Sequence, residues 1–252
     1  HEDGSYWNYT YDDRYRLLTA NRFNSNGHIK AAYAYTYDDG DNMLTKVEPF
    51  EDNFDDGNYT DWTVTSGSYS ASNNMLESTH TTNWNTIRRA STDGDNEMTF
   101  RYRINDTSDA NTRAYIYPRY RWGSEYLWLR IFPGKMEIGQ YVSSTSTVLD
   151  SNTSATTSQD TWYNVRIVSD GANITVWRWA DGSMPTQVLN TSSATVTAVN
   201  YHTIEVGPNY QFDFDDIRIY SDSLNNTTTF AVNNANELTS MSDYNGTTTF
   251  GF

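Results

Sequence analysis

The sequence predicts an all-β protein, an antiparallel β-sandwich flanked by β-hairpins. Three features lead there. Apolar residues recur with period two, turn dipeptides punctuate the chain at short intervals, and helical periodicity is nearly absent. Strands that follow one another this closely, with no helix pattern between them, favour antiparallel sheets packed face to face.

The alternation is clearest in the middle of the chain. Tyr115, Tyr117 and Arg119 alternate with Ile116 and Pro118. Leu127, Leu129 and Ile131 alternate with Tyr126, Trp128 and Arg130, so one set is expected in a core and the other on an outer face. Val165 and Ile167 alternate with Arg166 and Val168, and Ile217 and Ile219 with Asp216, Arg218 and Tyr220. Turn signals separate the runs at Asp56-Gly57, Asp93-Gly94, Pro133-Gly134, Asp170-Gly171 and Asp181-Gly182.

The two ends read differently, because they repeat. Tyr9-Thr10-Tyr11-Asp12-Asp13 is followed by Leu17-Leu18-Thr19-Ala20. The pattern returns as Tyr35-Thr36-Tyr37-Asp38-Asp39-Gly40 with Met43-Leu44-Thr45-Lys46-Val47, and again as Phe230-Ala231-Val232-Asn233-Asn234 with Glu237-Leu238-Thr239-Ser240-Met241. A fourth copy opens at Phe250-Gly251-Phe252. An aromatic strand, an Asp/Asn/Gly turn and a Leu-Thr strand make a β-hairpin. The pattern resembles the YD/Rhs repeat family, whose hairpins build spiral sheets. The expected organisation is YD-type hairpins at 1–49, a sandwich at 50–221, and hairpins again at 222–252, cut off in mid-repeat. An unfinished strand edge invites pairing with another chain, so self-assembly is an expected partner mode. The chain opens on His1 rather than Met, which reads as a mature product or a piece of a longer one.

The middle segment resembles the concanavalin A/laminin G-like jelly rolls of the carbohydrate-binding type. Its opening carries Phe50-Glu51-Asp52-Asn53-Phe54-Asp55-Asp56-Gly57-Asn58, Trp62 and Gly67-Ser68-Tyr69. Its close is Phe212-Asp213-Phe214-Asp215-Asp216-Ile217-Arg218-Ile219-Tyr220, and Thr161-Trp162-Tyr163-Asn164-Val165-Arg166-Ile167-Val168 matches a middle strand. The resemblance implies that the first and last strands pair, which suits insertion into another domain. It also implies a structural Ca²⁺ at Asp52 and Asp216, aided by a carbonyl near Gly67, since hard cations take carboxylate and carbonyl oxygens. The alternative reading of those acids is turn caps facing water.

A sugar site on such a fold stacks aromatic faces on sugar faces and uses polar groups for hydroxyls. The expected residues are Trp84, Tyr115, Tyr117, Trp122, Tyr126, Trp128 and Arg130. Catalysis is not expected. The related glycosidases carry a Glu-x-Asp-x-x-Glu strand, and the nearest stretch here, Asp93-Gly94-Asp95-Asn96-Glu97, reads as a turn entering a strand. The histidines His1, His28, His80 and His202 are scattered, and there is no Cys.

Composition narrows the partners. The formal net charge is −15, from 32 acidic and 17 basic residues, so phosphate backbones and anionic membranes are repelled. No apolar run approaches the ~20 residues of a membrane helix. Asn-x-Ser/Thr sequons stand at Asn8, Asn58, Asn105, Asn152, Asn173, Asn190, Asn225, Asn226 and Asn245. The expectation is a secreted or cell-surface protein that binds polysaccharide or glycan, with a filament, tube or sheath subunit as the alternative and a glycoside hydrolase third.

Overall fold

The computed structural model describes residues 6–23, 29–48, 50–79, 81–91, 96–121, 125–197, 199–220, 226–233, 237–243 and 246–250. Its elements are strands. They run β1 (Tyr6–Tyr11), β2 (Leu17–Phe23), β3 (Ile29–Tyr37), β4 (Met43–Glu48), β5 (Phe50–Asp52), β6 (Thr63–Ser66), β7 (Tyr69–Ser72) and β8 (Met75–Ser78). Then come β9 (Asn85–Ala90), β10 (Asn96–Ile104), β11 (Ala114–Arg121), β12 (Glu125–Ile131), β13 (Met136–Val142), β14 (Thr145–Asn152) and β15 (Tyr163–Asp170). The chain closes with β16 (Asn173–Ala180), β17 (Thr186–Ser192), β18 (Tyr201–Val206), β19 (Phe212–Tyr220), β20 (Asn226–Val232), β21 (Leu238–Asp243) and β22 (Gly246–Thr249). Two compact units form, one from His1–Phe50 with Leu224–Phe252, the other from Glu51–Ser223.

The first unit is one antiparallel sheet in the order β1-β2-β3-β4-β20-β21-β22. Three of its hairpin loops share one geometry. Asp12, Asp38 and Asn233 each donate their backbone N–H to the carbonyl four residues on, at 3.0 Å in every case. Their side-chain oxygens accept the N–H groups of Arg16, Asn42 and Glu237. Each loop is therefore organised by its leading Asp or Asn, the residue types whose short polar side chains mimic a backbone acceptor. A register shift recurs at one place in all three, between Thr10/Tyr11, Thr36/Tyr37 and Ala231/Val232. Arg16 joins neighbouring loops by donating to Asp12 and to the Asp38 carbonyl.

The second unit is a two-sheet sandwich. One sheet runs β17-β16-β15-β10-β19-β8-β7, with β5 also on β19, and the other runs β14-β13-β12-β11-β18-β9-β6. The expected pairing of first and last strands is thus present as β5 on β19. The core follows period two. Met98, Tyr102 and Ile104 of β10, Leu127, Leu129 and Ile131 of β12, and Phe212, Phe214, Ile217 and Ile219 of β19 are fully buried. Burying each such side chain contributes about 1.5–3 kcal/mol. The turns expected at Pro133-Gly134, Asp170-Gly171 and Asp181-Gly182 lie between β12 and β13, β15 and β16, and β16 and β17. The Asp93-Gly94 turn lies outside the described residues.

Strand β11 departs from strict alternation. Ile116 pairs with Leu129 but Arg119 pairs with Leu127, so β11 holds one more residue there than β12. This β-bulge turns Arg119 inward, where it is fully buried, rather than outward beside Tyr115 and Tyr117 as simple alternation predicts.

A buried amide ties the sheets together at one end. Asn85, on β9, accepts from Ser68 N at 2.9 Å and from Thr81 Oγ1 at 3.1 Å, and donates to the Thr79 carbonyl at 2.7 Å. Gly67 lies against this amide, and a Cβ there would sit 2.0 Å from Asn85 Oδ1. Asn85→Ala should therefore lower unfolding stability by roughly 1–3 kcal/mol for each buried partner left unpaired, as read by urea denaturation of the full chain.

Candidate functional site

The outer face of the second sheet carries a cavity of about 280 Å³. Five strands build it. Thr65 comes from β6, Thr86 and Arg88 from β9, Thr203 and Glu205 from β18, Tyr117 and Tyr120 from β11, and Tyr126 from β12. The bulge is what places Tyr117 and Tyr120 on one face although they stand three positions apart. Two buried contacts hold it. Arg119 Nη1 donates to the Val196 carbonyl at 2.9 Å, and Asn96 Nδ2, from the opposite sheet, donates to the Pro118 carbonyl at 3.1 Å. Proline suits the bulge because it has no N–H for the ladder to miss.

Glu205 is the acid of the cavity. Its Oε2 accepts from Tyr117 Oη at 2.6 Å and its Oε1 from Thr86 Oγ1 at 3.2 Å. Burial, and then the charge of Glu205, push the Tyr117 hydroxyl well above its ordinary pKa, so it remains a donor. Tyr126 is pushed up to about 12, chiefly by burial. The Arg88 guanidinium lies 4.1 Å from the ring centre of Tyr201. Thr203 Oγ1 is buried without a hydrogen-bond partner.

The tyrosines stand in a cross-strand row. Tyr201, Tyr120, Tyr126 and Tyr141 pair directly across β18, β11, β12 and β13. Tyr126 is stacked on both sides, 5.3 Å from Tyr120 and 4.7 Å from Tyr141. Tyr117 is stacked on Tyr115 at 5.9 Å and meets Tyr120 and Tyr126 edge-on. The row thus turns rims and hydroxyls outward while the ring faces cover one another.

The expected sugar residues fall together in part. Tyr115, Tyr117, Tyr126, Trp128 and Arg130 share this face, and Trp84 reaches it, 5.7 Å from Tyr115. Trp122 lies outside the described residues. Trp128 has no face left for a sugar. It is only 2% exposed, with the Arg130 guanidinium 4.7 Å from its ring, and it lies over Gly139, where a Cβ would sit 2.2 Å from Trp128 Cζ2. Arg130 itself is engaged, donating to Glu137 Oε2 at 3.0 Å and to Tyr115 Oη at 3.1 Å. Sequence reasoning missed Arg88, Tyr120, Thr203 and Glu205. The polar positions of β18, Tyr201, Thr203 and Glu205, alternate visibly with His202, Ile204 and Val206 and were the available signal.

The Ca²⁺ expectation does not fit the residues named for it. Asp52 Oδ1 accepts from Phe54 N at 3.0 Å and Oδ2 from Trp62 Nε1 at 2.9 Å. Asp216, at a left-handed bulge position with φ 50°, faces the guanidinium groups of Arg101 and Arg218. Gly67 packs on Asn85. Two guanidinium charges oppose a cation, and among the described residues no group of three or more His, Asp or Glu is placed to hold one.

No family model and no curated protein matches the sequence. Solved structures do resemble it. The carbohydrate-binding module CBM66 from Bacillus subtilis aligns with TM-score 0.53 and 10% identity, over 65% of this chain and 98% of that one. A GH43 protein, BlXynB from Bacillus licheniformis, aligns with TM-score 0.56 and 12% identity, over 84% of this chain and 52% of that one. The exoplasmic/lumenal domain of VIP36, in a Ca²⁺/Man3GlcNAc-bound form, gives TM-score 0.51 and 14% identity over 64% and 83%. The likeness is one of fold. The chain is all-β, with the β-sandwich of a carbohydrate-binding module among its neighbours, and none of these comparisons shows YD repeats.

Asp215 gives a test of the acids on β19. Burial first, and then the charge of Asp216, raise its pKa to about 6, while Arg101, 3.2 Å away, pulls the other way. A carboxyl raised in the folded state costs stability when ionised and regains it as pH falls through the raised value. Asp215→Asn should therefore be more stable than the parent at pH 7, and that difference should shrink as the pH is lowered toward 5, as read by paired thermal melts.

Proposed function

We propose that the second unit is a non-catalytic carbohydrate-binding module, secreted or at a cell surface, and that the tyrosine-lined cavity with Glu205 on its floor holds the sugar. The single supporting observation is that cavity. It gathers a carboxylate, a guanidinium, tyrosine rims and threonine hydroxyls within one concave patch, the donor and acceptor mixture that a polyhydroxylated ligand needs. Tyr115, Arg130 and Trp84 flank it along the same face. That two of the fold neighbours are named as a carbohydrate-binding module and a mannose-bearing lumenal domain agrees with this reading.

A binding role is favoured over hydrolysis by the acids. Glycosidases use a pair of carboxyl groups about 5–5.5 or 6.5–9.5 Å apart. Among the residues lining the cavity, Glu205 is the one carboxylate. The hairpin unit, whose loops resemble YD repeats, would display the module. A second reading, an assembly subunit, rests on β1 and β22, each of which has a single neighbour in its sheet, and on Tyr6, Tyr9 and Tyr11, all near half exposed beside that edge.

A glycan array probed with the full chain tests the proposal. Binding to at least one polysaccharide class is expected, with Tyr120→Phe, which keeps the ring stack, or Arg88→Ala weakening it about tenfold or more in variants shown to be folded by their thermal melts, equivalent to about 1.4 kcal/mol. An array without signal removes the reading. Exposure also ranks the sequons. Asn8, Asn173 and Asn190 are exposed, whereas the amides of Asn58, Asn105 and Asn152 donate to Asp56, Asp213 and the Val188 carbonyl. Asn225 and Asn245 lie outside the described residues, as does the side chain of Asn226. In a glycosylating host, peptide mapping should find glycans at Asn8, Asn173 and Asn190, with Asn105 and Asn152 unmodified.

A further inference from the structure

Resting on the carbohydrate-binding reading, we infer that the cavity accepts the free end of an uncharged glycan, one sugar ring held end-on by hydrogen bonds, rather than an internal stretch of chain lying on aromatic faces. Size is the first argument. At about 280 Å³ the cavity stands at the lower limit of small-molecule sites, which run from about 300 to 1,000 Å³, so one ring fits and a chain segment does not.

Ring geometry is the second argument. A sugar stacked along a chain needs flat, open ring faces. Tyr126 has a ring on each side, Tyr120 on one and Tyr141 on the other. Tyr117 is 6% exposed and stacks on Tyr115. Trp128 is buried against Gly139. No chain-long platform is left by these residues, and what they present is rims.

Hydrogen-bonding capacity is the third. An ionised carboxylate accepts about four hydrogen bonds. Glu205 accepts one from Tyr117 and one from Thr86, which leaves room for two sugar hydroxyls. A carboxylated or sulfated sugar would set its charge beside Glu205, whereas Arg88, the one cation among the lining residues, is already drawn over Tyr201. The charge of the site thus favours neutral hydroxyls.

Isothermal titration with the full chain separates the possibilities. The probes are manno-, xylo-, gluco- and fructo-oligosaccharides from single sugars to hexamers, cyclodextrins and cyclic β-glucans as chains without ends, and oligogalacturonates as charged chains. Expected are binding already at the mono- or disaccharide of one series, less than about a threefold gain for each further unit, and none with the cyclic or charged probes. Glu205→Gln, which keeps the shape and one acceptor oxygen but removes the charge and the second acceptor, should weaken that binding about tenfold or more, with a thermal melt of the variant showing that it remains folded. Affinity that climbs steeply up to the hexamer, or equal binding of cyclic chains or oligogalacturonates, overturns the end-on inference and leaves carbohydrate binding standing. Binding unaffected by Glu205→Gln overturns it too. Silence across every probe, with the glycan array silent as well, overturns the carbohydrate reading and the inference with it.

Discussion

The extra residue in β11 governs what the second sheet shows to solvent. A strand that alternated strictly would send Arg119 outward and Tyr120 into the core. The bulge instead buries Arg119, whose charge is tolerated because its guanidinium finds the Val196 carbonyl. With Arg119 inside, Tyr117 and Tyr120 both face outward, and the cavity acquires its wall. The buried donor from the other sheet, Asn96, reaches the Pro118 carbonyl and so couples the shape of the outer face to the seam between the sheets. The site is thus an expression of core packing, and its geometry is as stiff as the core that holds it.

Much of the sandwich was legible because burial imposes period two. Leu127, Leu129 and Ile131, or Ile217 and Ile219, declare their face by sequence alone. The hairpin loops were legible for a local reason. Asp12, Asp38 and Asn233 organise their own turns through bonds to residues two to four positions ahead, so spacing within a few residues carries the information. The site was half legible. Tyr115, Tyr117 and Tyr126 stood out as aromatics on an alternating run. Arg88 and Glu205 did not, because β18 comes to lie beside β11, and β9 beyond β18, through sheet order, which local pattern does not encode. Tyr120 was hidden by the bulge, since one inserted residue reverses the face of every side chain beyond it.

The acids tell a related story. Carboxylates on β19 looked like a cation site because like charges gathered in sequence need compensation. The compensation is present as arginine. Arg103 holds Asp213, Arg101 bridges Asp181 and Asp215, and Arg218 reaches Asp216 and Glu51. Arg101 and Arg103 stand beside the acids only after β10 and β19 pair, with Arg101 opposite Asp215 and Arg103 opposite Asp213. Trp162 lies near both guanidinium groups, at 4.8 and 5.1 Å from its ring centre, and covers part of the charge. The compensation is incomplete, because burial still raises the pKa values of Asp213 and Asp215 despite Arg103 and Arg101.

Aromatic abundance also means something different once register is known. Tyrosines directly opposite one another on adjacent strands lie about 4.8 Å apart, close to the contact distance of two rings. Side chains so placed satisfy their faces with each other, as Tyr126 and Tyr141 do at 4.7 Å and an interplanar angle of 4°. The same register that makes the row stable removes its faces from recognition and leaves its polar rims. Gly139 takes this further, since only a residue without a Cβ allows the Trp128 indole to lie flat on the sheet and disappear beneath Arg130. What the outer face presents is therefore a set of hydrogen-bonding groups, Glu205 and the tyrosine rims, in an aromatic frame that its own register has closed.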